Sequence, residues 1–363
     1  MNSIHTAILA EHYLFMKDLT IAVVGATGAV GTEFLRIMEQ RHPKAQKIKL
    51  LASHRSAGKS IRVNGRNLIV EETSEGSFRG VDIAFISVSS EVSRRFAPIA
   101  VEAGAVIIDD GSAFRMDPQV PLVVPEVNGD DVEWHRGIIS IPNCSTTPLA
   151  MVAHALRHIS PIKRIIADTY QSVSGAGGAA MVELREQTRT LLDGGNVTAE
   201  ALPNQIGFNV FPHIDSFLDN GYTREEQKMI DETRKIMHAP DIAISATCVR
   251  VPVYISHSAA VHFEFEQPVT PDQARGALSL MPGVRVMDDP VRGIYPTPWA
   301  AAGEDDVLVG RIRCDVSHPN GLALWVVSDN LRKGAALNSI QIAEELVARN
   351  CLKPRPINPV SHL

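Results

Sequence analysis

The chain has 363 residues, 45% hydrophobic and 21% charged, a composition typical of a globular protein of about two domains. Its net charge of −6, without a basic block, argues against nucleic-acid and anionic-membrane partners. The four cysteines are widely separated and lack zinc-site or disulfide-framework spacing, so we expect no metal and a reducing, cytoplasmic location.

Residues 1–18 form an extension ahead of the first predicted strand. They lack the charged region and cleavage pattern of a signal peptide, and their apolar run is too short to span a bilayer. Met16 is an alternative start of the protein.

Short apolar runs alternate with helical stretches over residues 19–144. This alternation predicts a mostly parallel sheet with helices on both faces, as in Rossmann-like dinucleotide-binding domains. A helix is predicted from Val30 to Arg41. The predicted strands are Ile21–Val24, Ile48–Ala52, Leu68–Glu71, Ile83–Val88, Val106–Asp109, Leu122–Val124 and Ile138–Ile141.

Longer strands, several with alternating apolar and polar residues, follow over residues 145–330. Such alternation predicts a second α/β domain with a mixed or antiparallel sheet, one face of which packs on helices. Residues 331–350 contain an amphipathic helix, and the proline-rich segment 351–363 is predicted to be irregular. The predicted strands are Arg164–Val173, Ala246–Val253, Val261–Glu266, Val284–Met287, Val307–Asp315 and Leu322–Ser328.

A glycine loop follows the first predicted strand, with glycines at Gly25, Gly28 and Gly31. Glycines let the backbone approach a pyrophosphate, and the N-terminus of the following helix supplies N–H donors. The spacing is shifted from the common dinucleotide fingerprint, so the strand before and the helix after carry the prediction. The alternative is a tight strand–helix turn that binds nothing.

The end of the second predicted strand distinguishes two nicotinamide cofactors. NAD enzymes usually place an acidic residue here to bind the ribose 2′-hydroxyl, whereas this chain has Ser53, His54, Arg55 and Ser56. An arginine beside hydroxyl groups suits a 2′-phosphate, so the sequence predicts NADP.

Cys144 lies in a polar loop at the predicted start of a helix. A helix N-terminus stabilises a thiolate, and the thiolate is the nucleophilic form of cysteine. Ser145, Thr146 and Thr147 are predicted to cap this helix, and Pro148 suits its first turn. The alternative is a buried structural cysteine.

Further candidates lie in the second predicted domain. His257 follows Arg250 by seven residues, so a bend is needed if both are to face one site, where a histidine could act as a general base. Glu225 and Lys228 share one face of a predicted helix; the alternative is a solvated surface ion pair. Gln171 precedes a glycine-rich loop that either approaches a ligand or is a flexible corner.

Together these motifs resemble the bacterial-type aspartate-semialdehyde dehydrogenase family from about Leu19 to Arg349. The segments that carry the resemblance are Gly25–Gly31, Ser53–Gly58, Pro142–Pro148, Thr169–Gly177, Glu225–Lys228, Cys248–His257 and Ser328–Ala335.

The resemblance implies a role for each matching residue. Cys144 would be the acyl-thioester nucleophile, with His257 as its acid/base. Gln171 would orient the thioester, Arg250 would bind the substrate carboxylate and Glu225 the substrate amino group. Arg115 and Lys228 would bind phosphate. The implied NADP contacts are Gly25, Thr27, Gly28, Ala29, Val30, Arg55, Ser56, Ser174, Gly175 and Asn330.

The family resemblance also implies the reaction and the assembly. The expected reaction is the reversible, NADP-dependent reductive dephosphorylation of L-aspartyl 4-phosphate to L-aspartate 4-semialdehyde, in lysine, diaminopimelate, threonine and methionine biosynthesis. The second domain would carry catalysis and dimer contacts, and the last helix would return to the first domain. The chain would form a homodimer, and some family members are tetramers.

Three rival interpretations remain open at the sequence level. N-acetyl-γ-glutamyl-phosphate reductase uses similar thioester chemistry but would not be expected to carry Glu225 as an amine anchor. Glyceraldehyde-3-phosphate dehydrogenase prefers NAD, against which Arg55 argues. A catalytically silent NADP-binding sensor would have no use for an activated thiol at Cys144.

Overall fold

The computed structural model describes residues 16–353, so the predicted extension 1–18 and tail 351–363 lie largely outside the described residues. The described chain packs as two compact units. The first comprises residues 16–141 and 338–353, and the second comprises residues 142–337. The boundary predicted after Cys144 therefore falls after Ile141, and the returning segment begins at Asn338 rather than at 331.

The first unit is built on a seven-stranded sheet in the order β3-β4-β2-β1-β5-β6-β7. All neighbouring strands are parallel except β3 and β4. The central strands are apolar and almost wholly buried, as expected for a parallel sheet covered on both faces. The strands are β1 (Thr20–Val24), β2 (Lys47–Ala52), β3 (Ser60–Val63), β4 (Arg66–Glu72), β5 (Ile83–Ile86), β6 (Val106–Asp109) and β7 (Ile138–Ser140).

Two predictions about this sheet were wrong. The edge strand β3, which pairs antiparallel with β4 across a turn at Asn64 and Gly65, was missed. The strand predicted at Leu122–Val124 contributes only an isolated bridge between Leu122 and Ser140, because the chain turns into a short helix at Pro125.

The second unit contains a six-stranded sheet in the order β11-β12-β13-β10-β8-β9. The four strands β12, β13, β10 and β8 are antiparallel, as their alternation predicts. Both edge pairs are parallel, however, so the sheet is mixed: β8 and β9 are joined by a long crossover that carries two helices. The strands are β8 (Ile162–Gln171), β9 (Ala243–Arg250), β10 (His257–Phe265), β11 (Val284–Val286), β12 (Val307–Cys314) and β13 (Gly321–Ser328).

The helices include two of a single turn. They are α1 (Ala29–Arg41), α2 (Ser90–Glu102), α3 (Pro125–Asn128), α4 (Thr146–Arg157), α5 (Gly178–Leu192), α6 (Arg224–Ile236), α7 (Pro271–Leu280), α8 (Pro298–Ala301) and α9 (Leu337–Ala348). Within residues 16–353, no helix has the length and apolar character that crossing a membrane requires.

Candidate active site

Four strand ends of the second unit converge on the predicted chemical residues. Gln171 ends β8 and Arg250 ends β9, and the two residues are paired in register. After Arg250 the chain makes the bend that the sequence required, and β10 begins at His257, opposite Ser328 at the end of β13. Because β8 also pairs with β10, the three predicted side chains lie at one edge of the sheet.

Cys144 is half-buried, one residue before the loop enters α4. Ser145 is the N-cap residue of this helix, as predicted, but no side-chain hydrogen bond from Ser145, Thr146 or Thr147 caps it. Instead Asn143 Oδ1 accepts a hydrogen bond from the Ser145 amide at 2.9 Å, and the Asn143 carbonyl accepts from the amides of the two threonines. An asparagine side chain can accept a hydrogen bond from the amide two residues further along the chain, which forms an Asx turn. Here that amide belongs to Ser145, the residue immediately before the helix.

Asn143 also ties the cysteine loop to α6. Its main-chain amide donates to Glu232 Oε2 at 2.6 Å, and its Nδ2 donates to Glu225 Oε1 at 2.8 Å. Both carboxylates are buried, so these charge-assisted bonds are shielded from water. The residue before Cys144 is thus held from two sides, by interactions that sequence spacing does not reveal.

Glu225 and Lys228 form an ion pair in which Glu225 is buried and Lys228 is half-buried, so the pair is not the fully solvated surface pair of the alternative. Lys228 Nζ lies 3.3 Å from Glu225 Oε2 and 2.8 Å from Asp215 Oδ2. Burial raises the pKa of Glu225, but the charge of Lys228 and hydrogen bonds from Gln171, Asn143 and Lys228 outweigh it, so the net pKa is lowered. Glu225 is therefore an ionised carboxylate inside the site.

Gln171 is fixed at both ends of its amide. Its Nε2 donates to Glu225 Oε1 at 3.0 Å, and its Oε1 accepts from the hydroxyl of Thr169 at 3.0 Å. Because both partners are themselves buried, the amide orientation is defined by the fold.

Arg250 is buried beside Cys144 and Glu225. Its Nη1 donates to the Ser172 carbonyl at 2.6 Å, and the guanidinium makes no other hydrogen bond to residues 16–353. Burial lowers the pKa of Arg250, and the negative charge of Glu225 is the largest effect that opposes that shift. The remaining guanidinium nitrogens suit a planar carboxylate.

His257 is buried, and its two ring nitrogens have different surroundings. Nδ1 accepts a hydrogen bond from the Ser172 amide at 3.0 Å and lies 3.1 Å from the Ser172 hydroxyl. Nε2 has no hydrogen-bond partner among the described residues. Burial, followed by the charge of Arg250, lowers the pKa of His257 to about 3, so the imidazole is neutral.

Three residues of the predicted cofactor set surround His257. Asn330 Oδ1 accepts from the hydroxyls of Ser172 and Ser174 and, at 2.9 Å, from the amide of Ser256. Gly175 packs closely on both side chains: a Cβ atom there would lie 3.0 Å from His257 Nε2 and 3.3 Å from Arg250 Nη1, so either side chain would have to shift.

A π-helical turn over Arg332–Ala336 leads into α9 and brings Gly334 against Cys144. A Cβ atom on Gly334 would lie 2.9 Å from Cys144 Cβ and 3.2 Å from Cys144 Cα. This position therefore requires glycine, and π-helical turns are frequent at functional sites.

The predicted nucleotide loop occupies the first unit. Gly25 has φ = +89°, and a Cβ atom there would meet the Ser87 carbonyl oxygen at 2.2 Å. The loop delivers Gly28 as the N-cap of α1, whose first turn, beginning at Ala29 and Val30, contains no acidic residue. These features fit an anion at the helix N-terminus.

The residues predicted to select NADP lie next to this loop. The hydroxyl of Thr27 donates to the Ser56 hydroxyl at 3.2 Å, and Arg55 is exposed. Arg115 is also in the first unit, where its Nη2 donates to the Asp110 carbonyl at 2.7 Å, whereas its predicted phosphate-binding partner Lys228 belongs to the second unit.

Two family models match the chain. Residues 20–135 match the NAD-binding domain of semialdehyde dehydrogenases, and residues 154–333 match their dimerisation domain. The chain is 48% identical over 336 residues to aspartate-semialdehyde dehydrogenase of Synechocystis sp., covering 93% of this chain and 99% of the relative. It is 48% identical over 342 residues to the Bacillus subtilis enzyme, with coverage of 92% and 99%.

The chain belongs to the aspartate-semialdehyde dehydrogenase family.

Solved structures of this family share the fold. Aspartate semialdehyde dehydrogenase II of Vibrio cholerae superposes with a TM-score of 0.88 at 46% identity, covering 90% of this chain and 98% of that one. The same enzyme in complex with ASA gives 0.88 at 45%, with coverage of 91% and 98%. The Candida albicans enzyme with NADP gives 0.71 at 26%, with coverage of 92% and 99%.

Membership of the aspartate-semialdehyde dehydrogenase family confirms several of the sequence predictions. The chain is an oxidoreductase, its two α/β units have the predicted fold class, and its first unit is a nicotinamide-dinucleotide-binding domain.

Proposed function

We propose that the protein catalyses the reversible, NADP-dependent reductive dephosphorylation of L-aspartyl 4-phosphate to L-aspartate 4-semialdehyde through a Cys144 thioester. This step would serve lysine, diaminopimelate, threonine and methionine biosynthesis. The observation that carries the proposal is the convergence of a cysteine loop, a buried arginine and an ionised glutamate at one edge of the second sheet. The Vibrio cholerae relative was solved in complex with ASA, which supports the same substrate here.

The second unit offers a complementary group for each end of an amino-acid substrate. Arg250 binds the α-carboxylate through its planar fork, and the ionised Glu225 binds the α-ammonium group. Gln171, held by Thr169 and Glu225, orients the acyl group for attack by Cys144. His257 acts on the reacting acyl group through Nε2, its ring atom without a protein partner among residues 16–353.

Phosphate release requires positive charge near the leaving group. We assign that role to Lys228, which lies beside Glu225, and to Arg115 of the first unit. Both side chains already contact protein oxygens, so phosphate would exchange with or add to those contacts.

The first unit is the proposed NADP site. The N-terminus of α1, with its glycine N-cap and no acid in its first turn, fits the pyrophosphate, and Arg55 with Ser56 fits a 2′-phosphate. In the second unit Ser174, Gly175 and Asn330 would contact the nicotinamide half. When bound, the reduced nicotinamide supplies the hydride of the reaction.

We propose a homodimer formed through the second unit, since residues 154–333 match a dimerisation domain. The small molecules involved would be the acyl phosphate, the semialdehyde and phosphate, with no nucleic-acid partner. A cytoplasmic location remains a prediction from cysteine usage.

The deciding experiment is the reduction of NADP⁺ by L-aspartate 4-semialdehyde, followed at the nicotinamide absorbance with and without phosphate, or with arsenate as a substitute acyl acceptor. We expect turnover that requires phosphate or arsenate. Cys144→Ser should bind NADPH as the native protein does and lose nearly all turnover, because a serine hydroxyl is the weaker nucleophile.

Substantial activity in Cys144→Ser would refute covalent catalysis at this residue. Turnover with the N-acetylated five-carbon semialdehyde but not with the free amino acid would favour the acetylglutamyl-phosphate reductase alternative. NADPH binding without any turnover would favour a silent sensor.

A further inference from the structure

We propose that Asp215 competes with phosphate for the ammonium group of Lys228, and that it thereby sets the affinity of the site for free phosphate. This inference rests on the proposed function, in which Lys228 binds phosphate, and it names the residue that controls that contact. Asp215 holds Lys228 between turnovers and takes it back as the phosphate product leaves.

Lys228 lies between two carboxylates that have different surroundings. Its Nζ is 2.8 Å from Asp215 Oδ2 and 3.3 Å from Glu225 Oε2. The Glu225 side chain is 8% exposed, and its Oε1 accepts hydrogen bonds from the side-chain amides of Asn143 and Gln171. The Asp215 side chain is 36% exposed, so its charge remains solvated when it turns away from Lys228. Asp215 is therefore the carboxylate that can give way to phosphate.

Both carboxylates are ionised, and together with Lys228 they carry one net negative charge. Burial raises the pKa of Asp215, but the hydrogen bond and the charge of Lys228, together with the hydrogen bond from the Ser216 amide, outweigh it, so the net pKa is lowered. The net negative charge opposes the approach of a phosphate anion. In the proposed complex the substrate ammonium group balances Glu225, which leaves Asp215 as the charge that phosphate must displace.

The loop that carries Asp215 is anchored on both sides to elements of the site. The amide and carbonyl of Phe211 pair with the main chain of Arg250, at the end of β9. On the other side, the Ser216 carbonyl and hydroxyl accept from the amide and Nε of Arg224, the first residue of α6. Asp215 has φ = +66°, a left-handed conformation that aspartate tolerates better than most residues. The backbone position of Asp215 is thus fixed, and rotation of its side chain alone can open or close the contact with the ammonium group.

Competition of this kind separates acyl phosphate, the substrate, from free phosphate, the product. In the biosynthetic direction phosphate arrives bonded to an acyl group whose carboxylate and ammonium ends bind Arg250 and Glu225 in the proposed function. As the Cys144 thiolate forms the C–S bond, phosphate leaves with the electron pair of the C–O bond and loses the benefit of those contacts. The cost of displacing Asp215 falls on both forms of phosphate, but only the acyl phosphate has further contacts that offset it. Asp215 therefore favours release of the product.

Asp215→Asn removes the charge of this side chain and keeps an oxygen that can accept a hydrogen bond from Lys228. Asparagine also tolerates the left-handed backbone, so the variant should fold. In the direction of NADP⁺ reduction by the semialdehyde, we expect the KM for phosphate to fall by about 5- to 50-fold, the effect of removing one nearby like charge. Inhibition of the biosynthetic direction by added phosphate should strengthen by a similar factor. A KM for phosphate that is unchanged or raised would overturn the inference, because a purely structural role predicts weaker binding.

Two further variants test whether Asp215 acts through Lys228. In a Lys228→Ala background, adding Asp215→Asn should change the KM for phosphate by less than about twofold, because the ammonium group for which the two anions compete is gone. A fall as large as in the native background would contradict competition for Lys228. The matched control is Asp272→Asn, which removes a carboxylate from an equally short contact, 2.8 Å from Arg275 Nη1, at the exposed start of α7. We expect the control to leave the KM for phosphate unchanged, and an equal fall there would show a general effect of net charge instead.

Phosphate binding can also be measured without turnover. Titration calorimetry with inorganic phosphate should show tighter binding to Asp215→Asn than to the native protein, and weaker binding to Lys228→Ala. Equal phosphate affinities of the native protein and Asp215→Asn would refute the competition even if the native protein turns over the semialdehyde. Tighter binding to Asp215→Asn, in a protein that does not turn over the semialdehyde, would instead contradict the proposed function and support the competition between Asp215 and phosphate.

Discussion

Asn143 joins the loop that contains Cys144 to the buried carboxylate of Glu225. Its side-chain amide accepts a hydrogen bond from the main-chain amide of Ser145, the N-cap of α4, through Oδ1 and donates to Glu225 through Nδ2. The position of the sulfur and the position of the carboxylate are therefore set by the same planar group. A displacement of Cys144 is therefore transmitted to Glu225, and the reverse, through these two hydrogen bonds.

Asn143→Ala should lower kcat by about 10- to 100-fold, because a small displacement of Cys144 costs attack geometry. The measurement is steady-state turnover of the semialdehyde. The matched control is Asn220→Ala, since Asn220 Oδ1 also accepts the amide two residues on, from Tyr222, but in an exposed turn. Equal effects of the two substitutions would mean that the Asx turn matters only for stability.

Arg55 tests cofactor selection at the scale of one side chain. Arg55→Ala should weaken NADPH binding by about 5- to 50-fold, because a charge-assisted contact with the 2′-phosphate is lost. NADH lacks that phosphate, so its dissociation constant should not change. Fluorescence titration of both cofactors measures the ratio, and an equal loss for both would remove Arg55 from the 2′-phosphate site.

At the residue scale, sequence reasoning identifies side chains whose residue type alone suggests a chemical role. Cys144, Arg250 and His257 stand out because few residue types perform their chemistry. Glu232 and Ser172 act through hydrogen bonds to residues 89 and 85 positions away, and no local spacing encodes such contacts. The capping prediction was only partly right, because Ser145 lies at the N-cap but the amides at this helix start are accepted by Asn143, three residues before the helix begins.

The π-helical turn is the element that closes the site at the level of secondary structure. It brings the backbone of Gly334 into contact with Cys144, at a distance that no side chain would permit. Such a turn adds one residue to the helical repeat, which shifts the facing side chains relative to a regular helix. Packing against Cys144 thus depends on the turn and on glycine together.

Gly334→Ala should destabilise the fold by about 1–3 kcal/mol, because its Cβ would overlap Cys144 Cβ. Thermal unfolding and thiol alkylation at Cys144 are the measurements, and alkylation should be slowed in any folded variant. Gly276→Ala is the control: it lies inside α7 with nothing within 4 Å of the added Cβ and should stabilise the helix by about 0.5–1 kcal/mol. A Gly334→Ala protein as stable as Gly276→Ala would contradict the close approach.

At the element scale, the parallel core is predicted well, because buried strands leave unambiguous apolar runs. The edges are predicted less well. Strand β3 is short and partly exposed, although Asn64 and Gly65, both with positive φ, form a hairpin signal that periodicity alone overlooks. Whether β9 pairs parallel or antiparallel with β8 depends on the path of the crossover, which the strand sequences do not specify.

For the molecule as a whole, buried ionisable groups set how stability depends on pH. Burial lowers the pKa of His257 to about 3 and that of His154 to about 4, so both resist protonation in the folded state. The unfolded chain binds these protons near the ordinary histidine pKa of 6.5, and stability therefore falls as the pH drops below that value. The buried carboxyl group of Asp109 makes stability change with pH in the opposite direction.

Asp109 is fully buried at the end of β6, where Oδ1 accepts from Ser93 and Gly111 and Oδ2 has no partner among residues 16–353. Burial raises its pKa from 3.8 to about 6. The folded state therefore holds a proton that the unfolded chain has released, and stability falls by up to about 1.4 kcal/mol per pH unit as the pH rises through that window.

Asp109→Asn removes this dependence, because an amide accepts the same two hydrogen bonds through Oδ1 and cannot ionise. We expect the Tm of the variant minus that of the native protein to become more positive as the pH rises from about 4 to 7. The histidines titrate identically in both proteins, so they cancel in this difference. Calorimetry at several pH values measures it, and a difference independent of pH would mean that Asp109 ionises as readily in the folded chain as in the unfolded one.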